Sequence, residues 1–254
     1  MVKHWLPSLL GPLRARPPPA RLPPGDRVYA VGDVHGQLGR LLQLHEAIRR
    51  DLAARPAQSP HLLHIGDLID RGPDSAGVVA LLADGPPLPG VPTVNLIGNH
   101  EWMLLQALDR GEGEDARHWR HSGGAEALRS WGVPSATPAD EWRLLIPAKH
   151  LRFLRALQPH WTRDGYLFVH AGVRPRLRLE DQVSEDLLWI REPFLDWPGP
   201  MLPEAPGRVV VHGHTPRPRP VVRSNRIGID TGAGKGGPLT CAVLEGADVR
   251  FLQA

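Results

Sequence analysis

Cys241 is the only cysteine in the 254-residue chain. That excludes an intrachain disulfide and any thiolate metal cluster, and it makes a reducing, cytoplasmic setting the simplest expectation. Long apolar runs are also missing. Pro7 and Pro12 interrupt the apolar residues between Met1 and Leu13, and no window approaches the length of a membrane span, so neither export nor a membrane partner is expected. Lysine is scarce, at Lys3, Lys149 and Lys235, and the basic side chains are nearly all arginine. No basic cluster is interleaved with aromatics, so no nucleic-acid partner is expected. The net charge of only +3 suits an anionic substrate weakly. There is no internal repeat.

What is present is ordinary globular material: 41% hydrophobic and 22% charged residues, enough for one large domain with a sizeable core. Arg14 to Pro24 is rich in proline and arginine, which predicts an extended N-terminal tail over residues 1–25 and a folded domain over 26–254. Short β-branched or apolar runs at Arg27–Val31, Leu62–Ile65, Thr93–Ile97, Tyr166–Val169, Val209–Val211, Arg226–Ile229, Leu239–Leu244 and Asp248–Leu252 read as strands. Between the first two, Leu38, Leu41, Leu42, His45, Ile48 and Leu52 recur at helical spacing over Leu38–Ala54. Asp74 can cap a second helix that ends at Ala83. This alternation is a βαβαβ unit, hence an α/β fold with a parallel sheet. A helical insertion is expected over about residues 102–163, with Trp119, Trp131, Trp142 and Trp161 able to form a small apolar core of its own.

Six motifs stand in order along the chain: GDVHG at 32–36, GDLIDRGP at 66–73, GNHE at 98–101, HAG at 170–172, LLWIRE at 187–192 and HGHT at 212–215. They offer Asp33, His35, Asp67, Asn99, His170 and His214, a mixed carboxylate, amide and imidazole set suited to two neighbouring borderline transition metals. Each follows directly on an expected strand or apolar run, where open α/β sheets build their sites. A two-metal site places a hydroxide in line with phosphorus and offsets charge on the phosphoryl oxygens. Metal-assisted phosphoester hydrolysis is the chemistry these residues favour.

In this order and spacing the motifs resemble the phosphoprotein phosphatases of the calcineurin-like metallophosphoesterase superfamily, most of all the bacterial and phage branch, whose endings LLWIRE and IDTGAGKGGPLTCAVLEG also resemble. The resemblance implies a two-sheet sandwich flanked by helices. It implies two divalent ions, manganese foremost with iron or zinc as alternatives. The first would lie on Asp33, His35 and Asp67, and the second on the bridging Asp67 with Asn99, His170 and His214. It makes His100 the general acid that protonates the leaving oxygen, with Asp70 orienting and charging it, and Arg71, Arg191 and Asn99 the phosphate-binding groups. The implied activity is serine/threonine protein phosphatase, acting on a phosphorylated protein or a small phosphoester by direct attack of a metal-bound hydroxide. The alternative is hydrolysis of symmetrical dinucleoside tetraphosphates or other phosphoanhydrides, but those relatives typically carry GNHD and lack the aspartate of DRG, whereas this chain has Glu101 and Asp70. One departure is Ile97, where bacterial relatives often carry an arginine before GNHE, and the loop Gly234–Gly237 with Lys235 is the place where compensation could arise.

Overall fold

Strand β1, Asp26–Val31, is buried along its whole length. Tyr29 and Val31 enter one apolar cluster and Val28 and Ala30 another, as the two-residue period of a strand covered on both faces requires. The computed structural model describes residues 20–254, so most of the expected tail, residues 1–19, lies outside the described residues. Just before β1, Ala20 and Leu22 are buried in the second cluster, and Leu22 N–H donates to the Gly246 carbonyl at 2.9 Å.

β1 runs parallel to β2 (Ser59–His64), which runs parallel to β3 (Thr93–Asn95). A second sheet contains β4 (His160–Arg163), β5 (Tyr166–Val169), β6 (Val209–His212), β7 (Val221–Val222) and β8 (Arg226–Gly228) in the order β4-β5-β6-β8-β7, its central three strands parallel. β9 (Thr240–Glu245) returns antiparallel beside β1, and β10 (Asp248–Gln253) closes that edge of the first sheet. The sheets pack face to face through Val28, Ala30, Leu63, Phe168, Val211 and Ile229. Helices cover the other face of the first sheet. The architecture is the expected α/β two-sheet sandwich built on a βαβαβ unit. The strands β4 and β7 are additions that the sequence pattern did not signal, because each is short and only partly buried.

Helix α1, Leu38–Ala54, buries Leu41, Leu44, His45, Ile48 and Asp51. Its inner face is turned from the expected one: Leu44 is inside and Leu42 is 48% exposed. Helix α2, Ser75–Ala83, starts as expected, with the Asp74 carboxylate accepting from Gly77 N–H at 2.7 Å. The helical stretch begins with GNHE itself: α3 spans Asn99–Arg110, followed by α4 (Glu114–Trp119), a kinked turn at Arg120–Gly124, α5 (Ala125–Ser130), α6 (Ala139–Leu145) and α7 (Ala148–Arg155). The expected separate tryptophan core does not form. Trp119 and Trp142 merge into the cluster beneath the first sheet, and Trp161 lies on β4 against Phe168, ring centroids 5.3 Å apart. Helix α8, Ser184–Trp189, caps a third cluster on the outer face of the second sheet. No helix among the described residues is long and apolar enough to cross a membrane.

Candidate metal centre

The loops after β1, β2, β5 and β6 and the first turn of α3 bring the predicted side chains to one end of the sandwich. The turns that do so are conformationally costly. His35, Asp67, Asp70, Arg71 and His214 all have positive φ, between 47° and 74°, and only two other non-glycine residues among those described share this. Left-handed backbone at non-glycine residues gathers where surrounding structure over-determines it for function.

Asp67 sits at the centre. Its Oδ2 lies 3.5 Å from His35 Nε2 and 4.0 Å from His100 Nε2, and its Oδ1 lies 3.4 Å from His170 Nε2. Two groups of potential ligand atoms share it, His35–Asp67–His100 and Asp67–His170–His214, each with all atoms within 4.8 Å of one another. Asn99 joins the second group: its Oδ1 is 2.9 Å from His170 Nε2 and 3.0 Å from His214 Nδ1.

The lone pairs point inward. His170 Nδ1 donates to the Ile65 carbonyl at 3.1 Å, so neutral His170 turns the lone pair of Nε2 toward Asn99 Oδ1, an acceptor facing an acceptor. His35 Nδ1 likewise donates to the Ile69 carbonyl at 2.9 Å, which frees Nε2 to accept from Arg71 Nη1 at 2.6 Å. Burial first, opposed chiefly by Asp67, pushes His35 down to about 3; His214 falls to about 3 by burial and the neighbouring His170. Neutral imidazoles converging on a carboxylate and an amide oxygen form a donor set that a cation satisfies and water alone does not. These residues therefore fit divalent metal.

Asp33 stands slightly apart from those two groups. Its carboxylate accepts from His214 N–H at 3.0 Å, and a side chain on Gly213 would strike it, the Cβ falling 2.0 Å from Oδ1. Burial, then the neighbouring Asp230 and Asp67, pushes Asp33 well above the usual carboxylate range. Asp230 is the acidic residue that sequence reasoning missed, although it is the second residue of the IDTGAGKGG segment. It too is buried and its pKa is raised by burial. Three buried carboxylates in one corner ask for compensating positive charge.

His100 Nδ1 donates to Asp70 Oδ2 at 2.6 Å, which also accepts from Trp119 Nε1 at 2.7 Å. Burial lowers the His100 pKa, but Asp67 and the bond to Asp70 outweigh it and the net shift is upward. The Trp119 contact was not legible, because Trp119 reads as core and is core, fully buried, with a single polar edge. Glu101, seen in the sequence only as a family marker, accepts four backbone N–H groups: Asp67 at 2.9 Å, Leu68 at 2.7 Å, Ile69 at 3.1 Å and Gly98 at 2.8 Å. It thereby laces the Asp67 loop to the start of α3. A side chain at Gly98 would fall 2.2 Å from Asp67 N, so that close approach requires glycine.

The two clamp candidates differ. Arg71 reaches the cluster through His35, and its own N–H is held by the Gly123 carbonyl at 3.0 Å. Arg191 follows α8, is exposed, and lowers the pKa of His214 by its charge; it makes no side-chain hydrogen bond among the described residues. Gly234 packs against the His35 ring, which brings the loop bearing exposed Lys235 beside the cluster.

A buried carboxylate shared between two imidazole-bearing ligand groups, at the ends of parallel strands in a two-sheet α/β sandwich, defines a metallophosphoesterase. The family model for calcineurin-like phosphoesterases matches residues 26–239, and the chain belongs to that family of metal-dependent phosphoric ester hydrolases, whose members normally bind two divalent ions. It is similar to serine/threonine-protein phosphatase 1 of Salmonella typhimurium, 32% identical over 221 residues, covering 86% of this chain and 92% of that protein. It is also similar to the symmetrical bis(5'-nucleosyl)-tetraphosphatase of Thioalkalivibrio sulfidiphilus, 30% identical over 150 residues, covering 59% of this chain but only 46% of that one. In fold it resembles the crystal structure of a cold-active protein-tyrosine phosphatase from a psychrophilic Shewanella, with a TM-score of 0.59 at 20% identity, covering 92% of this chain and 83% of that one.

Proposed function

We propose that the protein is a phosphomonoesterase of the serine/threonine protein phosphatase type, working with two divalent ions, manganese foremost. Asp33, His35 and Asp67 would hold one ion and Asp67, Asn99, His170 and His214 the other. Bound there, the ions would supply a water of lowered pKa and offset charge on the phosphoryl oxygens. The observation that carries the reading is the fully buried His100–Asp70 pair. With Nδ1–H committed to Asp70, His100 presents Nε2–H toward Asp67 and the reacting centre. A seryl or threonyl alkoxide is a poor leaving group and needs that proton, whereas a phosphate leaving from an anhydride needs it far less. Asp70 keeps the proton on the ring. Arg71, Arg191 and Asn99 would bind the phosphoryl oxygens, the guanidiniums bidentately. The substrate is a phosphorylated protein or a small phosphoester.

The test is kcat/KM of the manganese-loaded protein on a phosphoserine/phosphothreonine peptide against diadenosine tetraphosphate in one buffer. We expect the peptide to be preferred at least tenfold. A preference for the dinucleotide would overturn the substrate class and favour the reading suggested by the tetraphosphatase relatives. His100→Asn should retain both ions yet slow alkyl phosphates by about 10²–10⁴, and slow nitrophenyl phosphate much less. Equal losses on both would remove His100 from the acid role.

A further inference from the structure

Beyond the metal centre, the chain on either side of His214 lines a separate cavity of about 240 Å³ on the outer face of the second sheet. His212, at the end of β6, and Thr215 border it, and Arg217, Arg223 and Arg226 converge on it with one carboxylate, Asp196. Three guanidiniums against one carboxylate leave the cavity electropositive. None of the three arginines forms an ion pair among the described residues. Arg217 and Arg223 use only their backbone N–H groups, toward the Asp230 and Arg226 carbonyls, and both side chains are exposed. Arg226 donates to the Leu195 carbonyl and to Asn225 Oδ1, both neutral acceptors. Burial and the like charge of Arg223 lower its pKa, with Asp196 opposing.

Thr215, just after His214, forms part of the wall. Thr215 Oγ1 is buried and has no hydrogen-bond partner among the described residues. His212 is buried beside it, its ring edge-on to Phe194 at 4.9 Å, with Nδ1 committed to the Gly213 carbonyl at 3.0 Å. Three guanidiniums without a carboxylate partner around one concave site are the donor set that binds a tetrahedral oxyanion.

We propose that this cavity is a second anion site, which seats a phosphoryl group other than the one being hydrolysed. Arg217 and Arg223 close on the anion from the rim, and Arg226 supplies charge from below. Because Thr215 adjoins His214 in the chain, an anion held here lies beside the metal centre's own loop. The phosphoryl group comes either from inorganic phosphate, the product of the reaction, or from a second phosphate on the same substrate.

Equilibrium dialysis with labelled inorganic phosphate against the metal-loaded full chain tests the site. The wild type should bind one more phosphate per chain than Arg217→Ala/Arg223→Ala, or bind it at least tenfold more tightly. The variant should keep kcat/KM on nitrophenyl phosphate within twofold, since neither arginine touches the metal centre. Arg223→Glu provides a second probe and should abolish the extra phosphate by repulsion. Identical isotherms for the wild type and both variants would overturn the proposal. Singly and doubly phosphorylated peptides then separate the sources. If the substrate supplies the group, the wild type prefers the doubly phosphorylated peptide and the double variant loses that preference. If phosphate binding falls while the peptide ratio stays constant, free phosphate is the ligand. The dialysis reads the anion alone, so it succeeds or fails independently of the protein phosphatase reading.

Discussion

Glu101 does more for the site than any single-residue pattern discloses. Its two oxygens accept four backbone N–H groups from residues 67–69 and 98, and so fix the left-handed Asp67 against Asn99 and His100. Burial, then the neighbouring Asp67, raises its pKa to about 7, while the N–H bonds favour the carboxylate. Glu101→Gln turns an NH₂ group toward two of those donors and leaves them unsatisfied, which should cost about 2–4 kcal/mol. Urea unfolding of the metal-free protein should show it directly, and metal affinity should fall with it because Asp67 loses its support. An unchanged urea midpoint would show that the lacing is dispensable. At this scale the sequence announced the ligand candidates, since each is a polar residue in a glycine-rich motif behind a strand. The roles of Glu101 and Asp230 are not legible there, because the Asp67-loop partners of Glu101 lie 32–34 residues away and the partner of Asp230 lies across the whole domain.

The elements of the helical insertion do not merely overhang the site; they hold the His100–Asp70 pair proposed as its acid. The kink at Arg120–Gly124 carries the Gly123 carbonyl to Arg71 N–H, and Trp119, the last residue of α4, donates to Asp70. The helical periodicity of this stretch was legible, but not which turn would meet the DRG loop, because that depends on kinks between short helices. Trp119→Phe keeps the apolar filling of the pocket and deletes one hydrogen bond to a charged oxygen, worth about 1.5–3 kcal/mol. The protein should stay folded, with kcat on alkyl phosphates down about tenfold and nitrophenyl phosphate slowed less. Steady-state rates on the two substrates check this, and a uniform loss would assign Trp119 to packing alone. The face of α1 tells a similar story: the sequence pattern admitted Leu42, yet packing chose Leu44, one of two leucines on neighbouring sides of the apolar stripe.

Across the whole molecule, stability should fall in acid. Behind the first sheet, His64 Nδ1 donates to Asn95 Oδ1 at 2.7 Å, so its Nε2 accepts from His45 Nε2 at 3.0 Å, and His45 Nδ1 is left buried without a partner among the described residues. This chain of bonds is complete only with both rings neutral. Burial pushes His45 down to about 4, and burial together with the facing His45 pushes His64 down to about 3. Both folded values lie below the unfolded value of about 6.5, so the unfolded chain takes up protons first. The stabilisation is therefore full above about pH 6.5 and is lost as pH falls toward 4 and 3. Each ring should remove roughly 2 kcal/mol between pH 7 and pH 5. Urea midpoints across that range should fall steeply in the wild type and less steeply in His45→Leu; parallel slopes would mean that the pair does not govern acid stability.

What the sequence by itself determined is the class of the fold, most of its strands along the chain and the identity of the candidate ligands. Those depend on local period and on short contiguous motifs, which a chain carries wherever it goes. Only the tertiary structure decided which distant groups satisfy one another: Glu101 with the Asp67 loop, Trp119 with Asp70, Asp230 beside Asp33, and three arginines around Thr215. Such pairings follow from how the layers pack and from the cost of leaving a buried donor or charge alone, and no period along the chain encodes that.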